Sequence, residues 1–248
     1  MINLLLAVAA GFVTALVITL AGFHVVAGII PGTIVMLGLY ILLGRRSFQA
    51  LEKVFAQVQT ELSTIGGNQK EAKVKADKAI KLLEASMPLS KWQFLLASQI
   101  QGQIGMIKYL FKDYDGAMAA FAKSGARNYY AKAFSAAILY QRKDMAGMEK
   151  SFEEAVTSGK KEGVVWAAYA WCLAQNKESE KALKVMARAV EANPSDEKLK
   201  KALTDLQNDK KLKMKAWEPM WWQFGLEAPP VAQPQFIGGG RKMRGMRR

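Results

Sequence analysis

From Ile2 to Leu43 the chain has no Asp, Glu, Lys or Arg. Drawn out as one helix, that uncharged run would reach ~60 Å, twice the ~30 Å hydrocarbon core of a bilayer. It has to turn. The turn is expected within Ala21 to Gly32, which holds His24, Gly28 and the Pro31-Gly32 pair. This leaves a first span near Ile2 to Leu20 and a second that starts between Val25 and Thr33 and ends at Leu43, with Pro31 beginning or kinking it. A cleaved signal peptide would carry a basic n-region, which is missing, and a much shorter apolar stretch. The first basic residues are Arg45 and Arg46. By the positive-inside rule they lie on the cytoplasmic side, so a hairpin leaves both termini cytoplasmic.

Two chemically versatile residues are almost absent, with one cysteine and one histidine in 248 residues. A lone Cys172 closes no intramolecular disulfide, so nothing asks for an oxidising compartment. Among apolar neighbours it reads as packing rather than as a nucleophile. His24, in the expected membrane turn, reads as an interfacial polar residue. No His, Cys or carboxylate cluster has metal-ligand spacing. Gly238-Gly239-Gly240-Arg241-Lys242 lacks the spacing and preceding strand of a phosphate loop. We therefore expect no catalytic residues, no metal, no cofactor and no enzyme.

What is present is helical. Hydrophobic residues make up 51% of the chain and the formal net charge is +14, which implies attraction to anionic lipid, nucleic acid or an acidic partner. After the spans, Phe48, Leu51, Phe55, Val58 and Leu62 form a two-heptad seam. It can pair between protomers, making a homo-oligomer. The expected alternative is packing on the next helix, Gln69 to Ala85, whose Ala72, Ala76, Ala79, Ile80 and Leu83 share a face. Ile65-Gly66-Gly67-Asn68 between them reads as a helix stop and restart. The lysines of that second helix (Lys70, Lys73, Lys75, Lys78, Lys81) read as its solvated side, or as a face resting on anionic headgroups. Met87-Pro88 ends it, and Ser90 is a candidate N-cap for the following helix.

From Gln103 to Ala126 a helix, a polar break at Lys112-Asp113-Tyr114-Asp115 and a second helix form a unit that recurs. Ile104, Gly105, Asp113, Tyr114, Ala117 and Phe121 align with Ser135, Ala136, Asp144, Met145, Met148 and Phe152. A third copy carries Trp166, Tyr169, Ala170, Ala182, Met186, Ala189 and Pro194. The steps Phe121 to Phe152 and Phe152 to Met186 are 31 and 34 residues, the period of a stacked helical solenoid. Over residues 98 to 196 the chain resembles the tetratricopeptide repeat family. The third copy fits best; the second has Lys132 where an aromatic is usual and Met148 where a small residue is usual.

The resemblance implies a concave groove lined by the first helix of each pair, at Gln99, Gln103, Met106 and Tyr109, then Tyr130, Phe134 and Tyr140, then Trp171 and Gln175. Such a groove binds a protein partner or peptide. The basic clamp by which some family members hold an acidic C-terminus is missing, because Gly102, Met106, Ala133 and Ala137 occupy those places.

A polar helix, Ser195 to Lys213, is expected to cap the solenoid through Leu199, Leu203 and Leu206. Beyond it Trp217, Trp221, Trp222 and Phe224 crowd together. Pro229, Pro230, Pro234 and three glycines then rule out continued helix, and after Leu226 disorder is expected. The aromatic segment should dock on a surface, in order of expectation the outer face of the capping helix, the membrane interface, or the groove.

The reading is an all-α chain: a transmembrane hairpin (1–44), a membrane-proximal helical hairpin (45–87), about three repeat pairs with a capping helix (88–213), and an aromatic then basic tail (214–248). The function expected is a membrane-anchored scaffold that recruits a protein partner on the cytoplasmic face. Anion or lipid contact is assigned to Arg45, Arg46, Arg241, Lys242, Arg244, Arg247 and Arg248. The alternative is a membrane protein whose basic tail reaches RNA or the ribosome, without any RNA-binding fold signature.

Overall fold

The computed structural model describes residues 1–63, 69–93 and 95–228, and is all-helical over them. The stop at Ile65 to Asn68 and the basic tail from Arg241 lie outside the described residues. Helix α1 (Ile2–Leu20) and helix α2 (Val25–Ser63) form a hairpin around a turn at residues 21–24. Both are long and apolar enough to cross a membrane.

The two helices meet through small residues. Ala7 and Gly11 of α1, and Gly28 and Gly32 of α2, are buried in side chains that otherwise point outward. A methyl placed on Gly11 would come within 2.6 Å of the Gly32 carbonyl, and one on Gly28 within 2.7 Å of the Ala15 carbonyl. Backbones that approach this closely gain dispersion contacts, and Gly28 and Gly32 have the four-residue spacing typical of close helix–helix interfaces. Thr14, Thr19 and Thr33 return their hydroxyls to the carbonyl one turn back, at 2.9 Å each, which hides the donors from an apolar environment.

At the open end of the hairpin a polar knot ties it to the rest. Asn3 is buried, and its Nδ2 donates to the Leu43 carbonyl (3.2 Å), Ser47 Oγ (2.9 Å) and Gln93 Oε1 (3.3 Å). Gln93 Nε2 in turn donates to the Tyr40 hydroxyl at 3.1 Å. The start of α1 and residues 40–47 of α2 therefore lie at one level.

Helix α2 runs unbroken through the boundary expected at residue 44. Its far half packs on α3 (Gln69–Ala85), where Leu51 and Val58 meet Ala76, Ala79 and Leu83. The seam thus packs within the chain at Leu51 and Val58, while Phe48, Phe55 and Leu62 stay partly exposed. A 3-10 turn (Met87–Lys91) follows, and α4 (Leu96–Leu110) starts only after Leu95, so Ser90 caps nothing. Then come three antiparallel pairs: α4 with α5 (Tyr114–Lys123), α6 (Tyr129–Gln141) with α7 (Met145–Ser158), and α8 (Gly163–Gln175) with α9 (Ser179–Ala192).

The pairs share one turn. Lys112, Lys143 and Lys177 each take a left-handed backbone (φ 62°, 61° and 64°). At each, that residue's N–H returns to the carbonyl three residues back and the next N–H to the carbonyl five back. This closes the first helix of the pair. The next residue then starts the second helix, and Asp113 and Asp144 cap it by accepting from the Gly116 and Gly147 N–H at 3.0 and 2.9 Å. These cap side chains fill donors that a helix start leaves open.

Where the helices of a pair cross, Gly105 lies against the Phe121 ring, and the equivalent Ala136 and Ala170 are fully buried in one cluster with Phe152 and Met186. Between pairs, Arg142 reaches Asp115 (2.8 Å), and Arg188 grips both oxygens of Glu153 at 2.8 Å. Hydrogen bonds from Arg188 hold the Glu153 carboxyl below its ordinary range. The same guanidinium covers the Trp166 ring, 5.5 Å from its centre.

Helix α10 (Glu197–Gln207) buries Leu199 and Ala202 on the last pair, as a cap must. It ends six residues earlier than expected, because Asp209 adopts the same left-handed turn (φ 54°).

Even a single methyl on Gly105 would sit 2.5 Å from the Phe121 ring. Gly105→Leu and Ala170→Leu should therefore cost ~1–3 kcal/mol or more by overpacking. Lys143→Leu keeps an L-residue in the same turn and should stay within ~0.5 kcal/mol of the parent. Denaturant melts of the three variants check this, and equal losses would sink the crossing geometry.

Candidate functional site

The chain after α10 returns across the molecule. Leu212, Met214 and Trp217 are buried on the way, the last two in a 3-10 turn (Met214–Trp217), and a short helix, α11 (Met220–Gln223), lies on the concave face. Trp221 is 0% and Phe224 1% exposed. Phe224 stacks on Phe134 with centroids 4.7 Å apart; Trp221 meets Trp171 edge-on at 5.0 Å. Tyr109 donates its hydroxyl to the Phe224 carbonyl, and burial pushes the Tyr109 phenol well above its ordinary range. Trp221 Nε1 donates to Glu227 at 2.9 Å. Trp222, which must point away from its neighbour, is only half-buried.

The aromatic segment therefore docks in the groove, and not on the outer face of the capping helix where it was first expected. The cause is the early end of α10. With a turn at Asp209, the chain folds back before the helix can carry it away, and the aromatic faces of Phe134 and Trp171 offer it more ring contact than the cap's Leu203 and Leu206.

The predicted groove residues accordingly fall into two groups. Tyr109, Phe134 and Trp171 are buried beneath the chain's own segment, with Tyr140 half-buried 5.9 Å from Trp171. Gln175 is exposed at the end of α8. Gln99, Gln103, Met106 and Tyr130 line an open cleft of about 540 Å³. Its other wall is α2, through Phe48, Leu51, Glu52 and Phe55, and its floor includes Phe121 and Ala131, with Met220 and Gln223 of α11 at one end.

Sequence reading missed the residues of α2 and α11. The available signal was the seam itself, since Phe48 and Phe55, like Leu62, are seam positions that stay partly uncovered. Glu52 is the one charged residue among those lining the cleft. Glutamine amides at its rim offer both donors and acceptors, so the cleft suits an uncharged apolar segment whose backbone needs hydrogen bonds. Arg45 and Arg46 are exposed on α2, while Arg241, Lys242, Arg244, Arg247 and Arg248 lie outside the described residues.

Residues 163–206 match the family model for the tetratricopeptide repeat. This segment is a tetratricopeptide repeat. The match spans α8, α9 and nearly all of α10, the part with the strongest sequence resemblance. The two pairs before this tetratricopeptide repeat share its turn geometry at steps of 31 and 34 residues. No curated protein matches the chain. A tetratricopeptide repeat is a protein-interaction module, stacked to present an extended concave surface.

The docked segment should be a structural part of this domain. Trp221→Ala and Phe224→Ala are each expected to cost about 3–5 kcal/mol, the range for a fully buried large aromatic. Trp222→Ala, half-buried, should cost clearly less. Urea titration of the purified chain, followed by circular dichroism, measures all three. Near-parental midpoints for the first two would show that the segment is not held in the groove.

Proposed function

We propose that this chain is a membrane-anchored interaction protein whose cleft between α2 and the first two repeat pairs receives an uncharged, apolar segment of a protein partner. In this reading α1 and α2 span the bilayer, Arg45 and Arg46 mark the cytoplasmic side, and the repeat domain projects into the cytoplasm. The carrying observation is the cleft itself: the concave face is closed by α11 over Trp171 and Phe134, yet stays open over Gln99, Gln103, Met106 and Tyr130. The volume, about 540 Å³, falls in the ~300–1,000 Å³ range of specific pockets. Near-absence of charge in its lining favours an apolar guest over an acidic peptide.

A photo-crosslinking residue at Gln103 or Tyr130 tests the cleft in native membranes. The expected result is a discrete protein adduct that disappears when Met106→Glu is added, with none from the same residue at Lys184 on the exposed side of α9. Adducts of equal strength from all three positions would reject the cleft as the binding surface.

Topology is tested separately with single cysteines in a Cys172→Ala background. Phe23→Cys, in the hairpin turn, and Lys143→Cys, in the repeat domain, should label with an impermeant maleimide from opposite sides of sealed vesicles. Labelling from one side would exclude the spanning hairpin.

A further inference from the structure

We propose that the turn formed by Met87–Lys91, Trp92 and Leu95 is a third lipid contact, a foot that rests in the headgroup layer beside the hairpin. This rests on the membrane-anchored reading above and adds to it a surface of the repeat domain that faces lipid.

Height is fixed by hydrogen bonds. The uncharged stretch of α2 ends just before Arg45 and Arg46, so the bilayer surface lies near residues 40–46. The foot is held at that level from both helices. Asn3 N donates to the Trp92 carbonyl at 3.1 Å, Asn3 Nδ2 to Gln93 Oε1 at 3.3 Å, and Gln93 Nε2 to the Tyr40 hydroxyl at 3.1 Å. Asn3 and Gln93 are 2% and 8% exposed. A turn pinned through buried amides cannot swing away from the membrane without breaking them.

Composition matches the level. Past the two spans, the large hydrophobic side chains left exposed among the described residues are Val74, Trp92, Leu95, Leu110 and Phe111. Two of those five are in this turn: Trp92 is 45% and Leu95 41% exposed. Leu95 moreover holds a left-handed backbone, φ 73°, at the head of α4, a conformation unfavourable for a bulky residue. Lys91, Arg45 and Arg46 are exposed nearby. Tryptophan with flanking cations, displayed at the edge of an apolar slab, is the composition that partitions into the headgroup region and draws anionic lipid. The occupant is therefore the bilayer that holds α1 and α2, rather than a second protein.

The test uses the full chain in phosphatidylcholine–phosphatidylglycerol vesicles, with Cys172→Ala and one fluorophore-bearing cysteine. Positions are Trp92→Cys and, independently, Leu95→Cys, with Leu16→Cys in α1 as a lipid-facing reference and Lys143→Cys as a solvent reference. Lipids spin-labelled near the headgroup end of the acyl chain should remove most of the emission at 92 and 95. Lipids labelled deep in the chain should do so at 16, and iodide alone should quench 143. If 92 and 95 respond like 143 while 16 is still quenched by lipid, the foot is wrong and the anchor stands. If 16 is also untouched by lipid labels, the anchored reading falls and takes the foot with it.

Discussion

A stacked helix pair always leaves a face it cannot cover by itself, and the architecture of this chain is organised by how those faces are closed. At the front, α3 and the far half of α2 cover the first pair, with Leu51 and Leu83 in one buried cluster with Leu96 and Ile100 of α4. At the back, α10 and Trp217 cover the last pair. In the concave middle, where aromatic rings would otherwise meet water, α11 and the residue after it supply Trp221 and Phe224. Each cover comes from a different part of the chain, so the domain is continuous although its repeats are few.

This arrangement limits where a partner can bind. The rings expected to hold a guest, Phe134 and Trp171, already have one from the chain itself. The open part of the concave face lies toward the apolar hairpin, where Gln99, Gln103 and Met106 face the helix that continues from it. A groove along the repeats has become a short cleft between the repeats and α2.

Much of this was legible in the residues. A run of uncharged residues longer than a bilayer is thick must fold back, and Gly105, Ala136 and Ala170 recur where two backbones need room. The seam at Leu51 and Val58 predicted its α3 partner because the periodicity of each helix is local information. Other features were written there less plainly. The spacing of Gly28 and Gly32 signals close packing, but only a partner stripe at Ala7, Gly11 and Ala15 gives it meaning. The left-handed turn at Asp209 has no glycine to announce it, so the end of α10 and the docking of the tail both went astray. Contacts such as Tyr109 with Phe224 join residues more than a hundred positions apart, and no local pattern encodes them.

The unbroken course of α2 from Val25 to Ser63 carries a mechanical consequence. Phe48 and Phe55, which form one wall of the cleft, sit on the same helix as Gly28 and Gly32, which pack closely against α1. Pro31 lies beside Gly32 in this helix, and beyond it α2 continues without another proline to Ser63, so a tilt of that length is carried to the wall of the cleft. In the membrane-anchored reading proposed above, a change in bilayer thickness that alters the tilt of the hairpin reaches the cleft as a displacement of its wall. In that reading the width of the opening follows the tilt of the hairpin.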